Sequence, residues 1–315
     1  MGLEEITNIS IIGAGLMGHG IAQSFAQRNY TVMLYDLKET ILKKALSTIR
    51  SNLETFVEVG LEKGENIEKI LLNIHTTLNL QEAVKNAHFL IEAVPEDLIL
   101  KMTLFEEIEK FCPETTILAS NTSTLPGYEI GKRIKRKERF LITHWFNPPY
   151  IIPVVEIVPS EMTSLKVMEK TIALLSQIGK KPVKILKEIP GFLVNRIQTA
   201  MFREILSLLE QGVATPEDMD EAIKGSIGIR LAVIGPLQTM DMGGLDLIYK
   251  GMKNLYPLID RSSDIQNLLK EKIERNELGI KTGKGFFQYP QQNHLPLKER
   301  DKKLLSLLTL FPIKE

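Results

Sequence analysis

The chain has 315 residues, enough for about two domains at roughly 150 residues each. Of these, 43% are hydrophobic and 25% charged, and 39 Lys and Arg balance 39 Asp and Glu, so the formal net charge is zero; partners held through bulk charge, nucleic acid and anionic membrane surfaces, are excluded. The one cysteine, Cys112, excludes an internal disulfide and fits a reducing compartment. No apolar run approaches the ~20 residues that span a bilayer, and the acidic start MGLEEITN does not read as a secretory signal. A cytoplasmic protein working on a small molecule is expected.

In chain order, NISII (8–12) predicts a short β-branched strand ending at Gly13. Residues 16–28 have helical spacing, YTVMLY (30–35) a second strand ending at Asp36, and 40–60 a long helix. HFLIEAV (88–94), LFEEIEKF (104–111) and TTILASN (115–121) read as strand, helix and strand, with RFLIT and VVEIV as further strands. Strands alternating with helices predict an α/β fold with a doubly wound, Rossmann-type parallel sheet. The texture changes near Pro190-Gly191. FLVNRIQTAMFREILSLLEQ (192–211) is apolar at helical spacing and ends at Gly212, and Thr215-Pro216-Glu217-Asp218 opens the next helix. Two domains follow: 1–189, α/β and nucleotide-binding, and 190–315, all-helical and devoted to substrate and dimerisation. The last 25 residues, polar and basic with a late apolar patch, carry no assignment.

Gly13-Ala14-Gly15-Leu16-Met17-Gly18 fits G-x-G-x-x-G between a strand and a helix, and Asp36 closes the next strand 23 positions after Gly13. That context makes a weak motif specific for a dinucleotide. Gly13 permits the turn, Gly15 lets a pyrophosphate approach, and Gly18 lets the helix pack on the sheet, with Leu16 and Met17 completing the loop. Asp36 would accept from ribose hydroxyls and repel a 2′-phosphate, so NAD is expected. His144 closes an apolar run before Phe146-Asn147-Pro148-Pro149, and Glu156 sits inside another. Neither belongs in a sheet interior without a partner, and together they suggest a histidine base polarised by a carboxylate. Ser123, in a loop at a strand end, and Asn195, among apolar residues on the first helix of the second domain, are candidate substrate contacts. His75, His88 and His294 read as solvated, and His19 as a packing or surface residue.

Taken together, IIGAGLMGHGIA, IEAVPEDLILK, ASNTSTL, HWFNPP, VVEIV, PGFLVNR and KTGKGFF resemble the L-3-hydroxyacyl-CoA dehydrogenase family over nearly the whole chain. The resemblance implies an active site of Ser123, His144, Glu156 and Asn195, and further NAD contacts at Ala93, Glu96, Lys101, Ser123 and Asn147. It implies a Rossmann-type domain followed by a helical domain that forms a homodimer, with no metal. The reaction implied is oxidation of the 3-hydroxyl of a short-chain 3-hydroxyacyl-CoA, such as 3-hydroxybutyryl-CoA. An idle structural protein on this scaffold is disfavoured by the intact site, and a 6-phosphogluconate-type dehydrogenase by the His–Glu pair in place of a lysine.

Two departures point to another substrate. CoA-using members are expected to carry a lysine cluster for the CoA phosphates after the second strand, and here FVEVGLEKG places Val57, Glu58 and Val59, with only Lys63 nearby. IGIRLAVIGPLQTM places Arg230 in the helical domain and resembles the lambda-crystallin, L-gulonate 3-dehydrogenase and carnitine dehydrogenase branch. An arginine can grip a free carboxylate bidentately. The alternative substrate is therefore a free 3-hydroxy acid, with Arg230 as a binding residue.

Overall fold

The computed structural model describes residues 6–289 and 295–310. The chain divides into two compact units, one of Met1–Asn195 with Leu297–Glu315 and the other of Arg196–Pro296.

The first unit begins β1 (Asn8–Ile12), α1 (Gly18–Ala26), β2 (Thr31–Tyr35), α2 (Glu39–Glu58), α3 (Asn66–Leu72), β3 (Ile74–Thr77) and α4 (Leu80–Val84). It continues β4 (Phe89–Glu92), α5 (Leu98–Phe111), β5 (Ile117–Ser120), α6 (Gly127–Ile130), β6 (Phe140–Trp145), β7 (Val154–Pro159), α7 (Leu165–Gln177) and β8 (Lys181–Lys184). The strands form one eight-stranded sheet in the order β3-β2-β1-β4-β5-β6-β7-β8. All neighbours are parallel except β6 and β7. The winding reverses between β1 and β4, and sheets of this kind bind ligands outside the carboxyl ends at that switch.

The central strands are apolar without alternation because helices cover both faces. Ile9 and Ile11 of β1 point to one face, with Ile21 and Phe25 of α1, Leu53 of α2 and Leu174 of α7. Ile12 points to the other, with Leu90, Phe105 of α5, Leu118 and Phe140. Each such side chain, fully withdrawn from water, contributes about 1.5–3 kcal/mol. Helix starts follow local chemistry. Asp97 accepts from the Leu100 N–H and starts α5 six residues before the run LFEEIEKF, and Ser164 accepts from Val167 to start α7.

Sequence reading missed β3, β8 and α7. The edge strands are short and partly exposed, Ile74–Thr77 being buried only at its ends and Lys181–Lys184 nowhere fully. They show neither alternation nor a continuous apolar run.

From Val194 the chain is helical: α8 (Val194–Glu210), then α9 (Pro216–Ile223), a π-helical turn (Lys224–Gly228), α10 (Ile229–Leu231), α11 (Pro236–Gly243), α12 (Leu245–Leu255) and α13 (Asn267–Glu274). Thr215 caps α9 with Pro216 in its first turn, and Gly212 takes φ +67° after α8, as its sequence signals require. This unit leaves large apolar side chains in water, among them Val233, Leu237 and Met242, each about two-thirds exposed or more.

The last helix, α14 (Leu295–Thr309), differs from the expected grouping of 190–315. From Leu297 it belongs with the first unit. Leu305 and Asp301 are buried there, and Tyr150 Oη donates to Asp301 Oδ2 at 2.6 Å. No described helix is long and apolar enough to cross a membrane.

Candidate active site

The carboxyl ends of β1, β4, β5 and β6 lie at one edge of the sheet, because those strands run parallel. At β1, Gly13 takes φ +101°, and a Cβ there would come within 2.7 Å of the Ala93 carbonyl oxygen. A Cβ on Gly18 would strike the carbonyl of Gly13, whereas one on Gly15 would meet nothing within 4 Å. The open side of Gly15 is the surface a pyrophosphate needs. No side chain caps α1, so its first N–H groups remain available to an anion. Leu16 stands 69% exposed on the same loop, and Met17 follows it. Asp36 Oδ2 accepts the Ala14 N–H at 2.9 Å and Oδ1 the Lys38 N–H at 3.3 Å. The end of β2 is thus fastened to the glycine loop, and the residues fit a dinucleotide.

At the ends of β4 and β5 lies a buried charged network. Glu92, fully buried, accepts from Lys101 Nζ at 2.5 Å and from the Val94 N–H at 2.8 Å through one oxygen, and from Ser120 Oγ at 2.6 Å through the other. Burial pushes its carboxyl up, against the opposing pull of Lys101 and the two hydrogen bonds. Lys101, itself 1% exposed, also donates to the Val94 carbonyl at 3.2 Å and lies 3.4 Å from Glu96 Oε2. Glu96 Oε1 gathers Thr122 Oγ1 at 2.6 Å and the N–H groups of Ser123 and Thr124 at 2.9 and 3.0 Å. Burial opposes its charge, yet those bonds and Lys101 hold its carboxyl below the usual range. The loop that carries Ser123 is shaped by Glu96.

His144 and Glu156 are direct partners across the antiparallel pair β6–β7. His144 Nδ1 donates to Glu156 Oε2 at 2.7 Å, with the side chains 3% and 0% exposed. Glu156 Oε1 accepts the N–H groups of Leu193 and Val194, at 3.1 and 2.9 Å, where α8 begins. A carboxylate buried with three donors at a helix N-terminus is satisfied as an anion. It fixes the imidazole tautomer and leaves Nε2 as the group able to take a proton. Phe146 and Phe192 stand against the imidazole, with ring centroids 4.6 and 5.4 Å away. Asn195 Nδ2 reaches the Ser123 carbonyl at 3.5 Å, which brings those two residues together. Asn147 is exposed on the turn after β6, with a cis peptide to Pro148.

Arg230 is on α10 of the second unit, exposed and donating through Nε to the Ser226 carbonyl at 3.3 Å. Among the other histidines, His75 is exposed, but His88 is half-buried and its Nδ1 accepts the N–H groups of Thr7 and Asn8 at 3.1 and 3.3 Å. His19 is a buried packing residue whose Nδ1 donates to the Gly15 carbonyl at 2.8 Å. His294 lies outside the described residues, as do residues 290–293 and 311–315. Sequence reading missed Glu92, Ser120, Thr122 and Asn121, whose Oδ1 accepts the Trp145 N–H at 2.9 Å. Glu92 carried the same signal as Glu156, an acid inside the apolar run HFLIEAV.

A glycine-loop dinucleotide fold with an imidazole–carboxylate pair on the same sheet defines a nicotinamide-dependent dehydrogenase. Residues 8–189 match the 3-hydroxyacyl-CoA dehydrogenase NAD binding domain, and residues 191–289 its C-terminal domain. The chain is 34% identical over 315 residues to 5-formyl-3-hydroxy-2-methylpyridine 4-carboxylate 5-dehydrogenase of Mesorhizobium japonicum, covering 98% of this chain and all of that one. It is 37% identical over 295 residues to the mitochondrial hydroxyacyl-coenzyme A dehydrogenase of Rattus norvegicus, covering 90% and 91%. It is 32% identical over 275 residues to the lambda-crystallin homolog of Homo sapiens, covering 85% and 86%. The crystal structure of the 5-formyl-3-hydroxy-2-methylpyridine 4-carboxylic acid 5-dehydrogenase, an NAD+-dependent dismutase, matches at a TM-score of 0.91 with 33% identity, over 98% of this chain and all of that one. The chain belongs to the 3-hydroxyacyl-CoA dehydrogenase family. It is an NAD-dependent oxidoreductase acting on a CH–OH group.

Proposed function

We propose that the substrate is a small free carboxylic acid bearing the CH–OH group that is oxidised. Glu58 carries this reading. The segment where a CoA-using enzyme is expected to present lysines to phosphates here presents a carboxylate, tied to Lys298 at 2.6 Å and Lys302 at 2.9 Å. Those two ammonium groups are already engaged by the carboxylate rather than presented to a nucleotide phosphate. The end-to-end likeness to an enzyme named for a pyridine carboxylate supports the same choice. A short-chain 3-hydroxyacyl-CoA is the second reading, favoured by the ending LGIKTGKGFF and the identity to a hydroxyacyl-coenzyme A dehydrogenase.

His144 Nε2 takes the hydroxyl proton as the carbon gives up its hydrogen. Bound NAD+ supplies the hydride acceptor. Glu156 holds the imidazole by Nδ1 and stabilises the imidazolium that forms. Ser123 and Asn195 orient the oxygen being oxidised. Asp36, the glycine loop of Gly13, Gly15, Leu16, Met17 and Gly18, together with Ala93, Glu96, Lys101 and Asn147, hold the dinucleotide, and Arg230 takes the carboxylate.

The deciding measurement is NADH formation with L-gulonate, L-carnitine and 3-hydroxybutyryl-CoA, side by side, on wild type and Arg230→Ala. Turnover of a free acid, lost selectively in the variant, is expected; turnover of the CoA ester alone sinks the free-acid reading. The apolar surface of the second unit supports a homodimer through that unit. Sedimentation at micromolar concentration should give twice the 35.6 kDa chain mass; a single-chain mass would refute it.

A further inference from the structure

Helix α14 lies outside both matched segments, 8–189 and 191–289, yet it packs on the first unit at the turn that leaves the catalytic strand. That turn, between β6 and β7, is pressed against the dinucleotide helix. A Cβ on Gly20 of α1 would come 2.7 Å from Pro149 Cγ and 2.8 Å from Tyr150 Cδ1. One turn along, Ser24 Oγ lies 3.0 Å from the Gly20 carbonyl and 3.4 Å from that of Pro149. The rings of His19 and Tyr150 lie 6.4 Å apart, and His19 is the residue bonded to the Gly15 carbonyl. Tyr150 therefore stands at the joint between the glycine loop, through α1, and Asn147, three residues back along the turn.

The joint is held from two sides. From the turn between α7 and β8, buried Lys180 donates to the carbonyls of Pro149 and Ile152 at 2.5 and 3.0 Å. From α14, Asp301 Oδ2 accepts the Tyr150 hydroxyl at 2.6 Å, while Arg300 Nε and Nη2 occupy its other oxygen at 2.8 and 2.6 Å. Asp301 is 7% exposed, and Leu305, one turn on, is 1% exposed. A hydroxyl donating to a buried carboxylate is a charge-assisted bond, about twice as strong as a neutral one. It also has one geometry, so the position of Tyr150 is set by α14.

We propose that α14 is a positioning element for the cofactor site, in which Asp301, through the Tyr150 hydroxyl, holds the β6–β7 turn against the Gly20 face of α1. Tyr150 and Asp301 are positioning residues. They act on the bound dinucleotide through Asn147 on one side and through α1 and its glycine loop on the other. A helix that only covered apolar surface would alter the unfolding midpoint and leave the cofactor affinity of the folded protein unchanged.

The two roles separate in a double-mutant cycle of Tyr150→Phe, which removes the donor, and Asp301→Ala, which removes the acceptor. The probe is NADH, titrated against the fluorescence of Trp145, the one tryptophan in the chain, two residues from Asn147. Unfolding midpoints are recorded alongside so that titrations are made on folded protein. Each single variant should raise the NADH Kd about fivefold or more, the lower end of couplings between separated sites. The double variant should be no weaker than the weaker single, because both remove one bond. A smaller change in either single, or effects that multiply in the double, would overturn the proposal whatever happens to the midpoint.

Discussion

His144→Gln should bind NADH as the wild type does and lose about 10²–10⁴-fold in turnover, the usual worth of a positioned general base. Glutamine can still donate to Glu156 Oε2, so the carboxylate that closes β6 against β7 and receives the N–H groups of Leu193 and Val194 keeps its donors. What disappears is the imidazole nitrogen that takes the hydroxyl proton. The glycine loop and Asp36 stand on β1 and β2 and make no bond to His144, so cofactor affinity is unaffected. Stopped-flow or steady-state NADH formation, with an NADH titration in parallel, checks both halves. A turnover within tenfold of wild type would remove His144 from the role of base.

Lys101→Met should destabilise the first unit by about 3–5 kcal/mol, the cost of stranding one member of a buried ion pair. The unfolding midpoint should fall by on the order of 10 °C. Glu92 is fully buried and its strongest partner is the Lys101 ammonium at 2.5 Å. With that gone, the carboxyl must take up a proton or remain charged in a dry interior, and both cost free energy. Adding Glu92→Leu to Lys101→Met should restore a good part of the loss, since no lone charge remains, although Ser120 Oγ and the Val94 N–H lose their acceptor. A double variant as unstable as the single would show that the stranded carboxylate is not the cause. Because Lys101 also faces Glu96, which orders the Ser123 loop, the single variant should bind NADH more weakly as well.

Much of the nucleotide-binding half was legible in the chain. The run NISII, the glycines 13, 15 and 18 and the acid at 36 are neighbours in sequence because strand, turn, helix and strand are neighbours in space. Their spacing is a local property. His144 and Glu156 were legible for another reason: each is a costly residue in an apolar run, and twelve positions apart they pair across one turn. Glu92 carries the same sign, but its partner Lys101 lies on α5 ahead of the run LFEEIEKF that marks the helix in the sequence. Asp97, the capping residue that moves the helix start back to Leu98, was the sign to follow.

By itself, the sequence determined a doubly wound sheet, a dinucleotide loop, a preference for NAD through Asp36 and an acid–histidine couple; the loop with Asp36, and the couple, are each written within a short stretch of chain. Only the tertiary structure decided that Asn195 meets the Ser123 loop across 72 positions, that Lys101 and Ser120 share Glu92, and that the unassigned tail returns as α14 to hold Tyr150 across 151 positions. Periodicity records which side of a segment avoids water. It does not record which distant segment covers that side, since that follows from the order in which strands add to the sheet and from the shapes that remain to be filled.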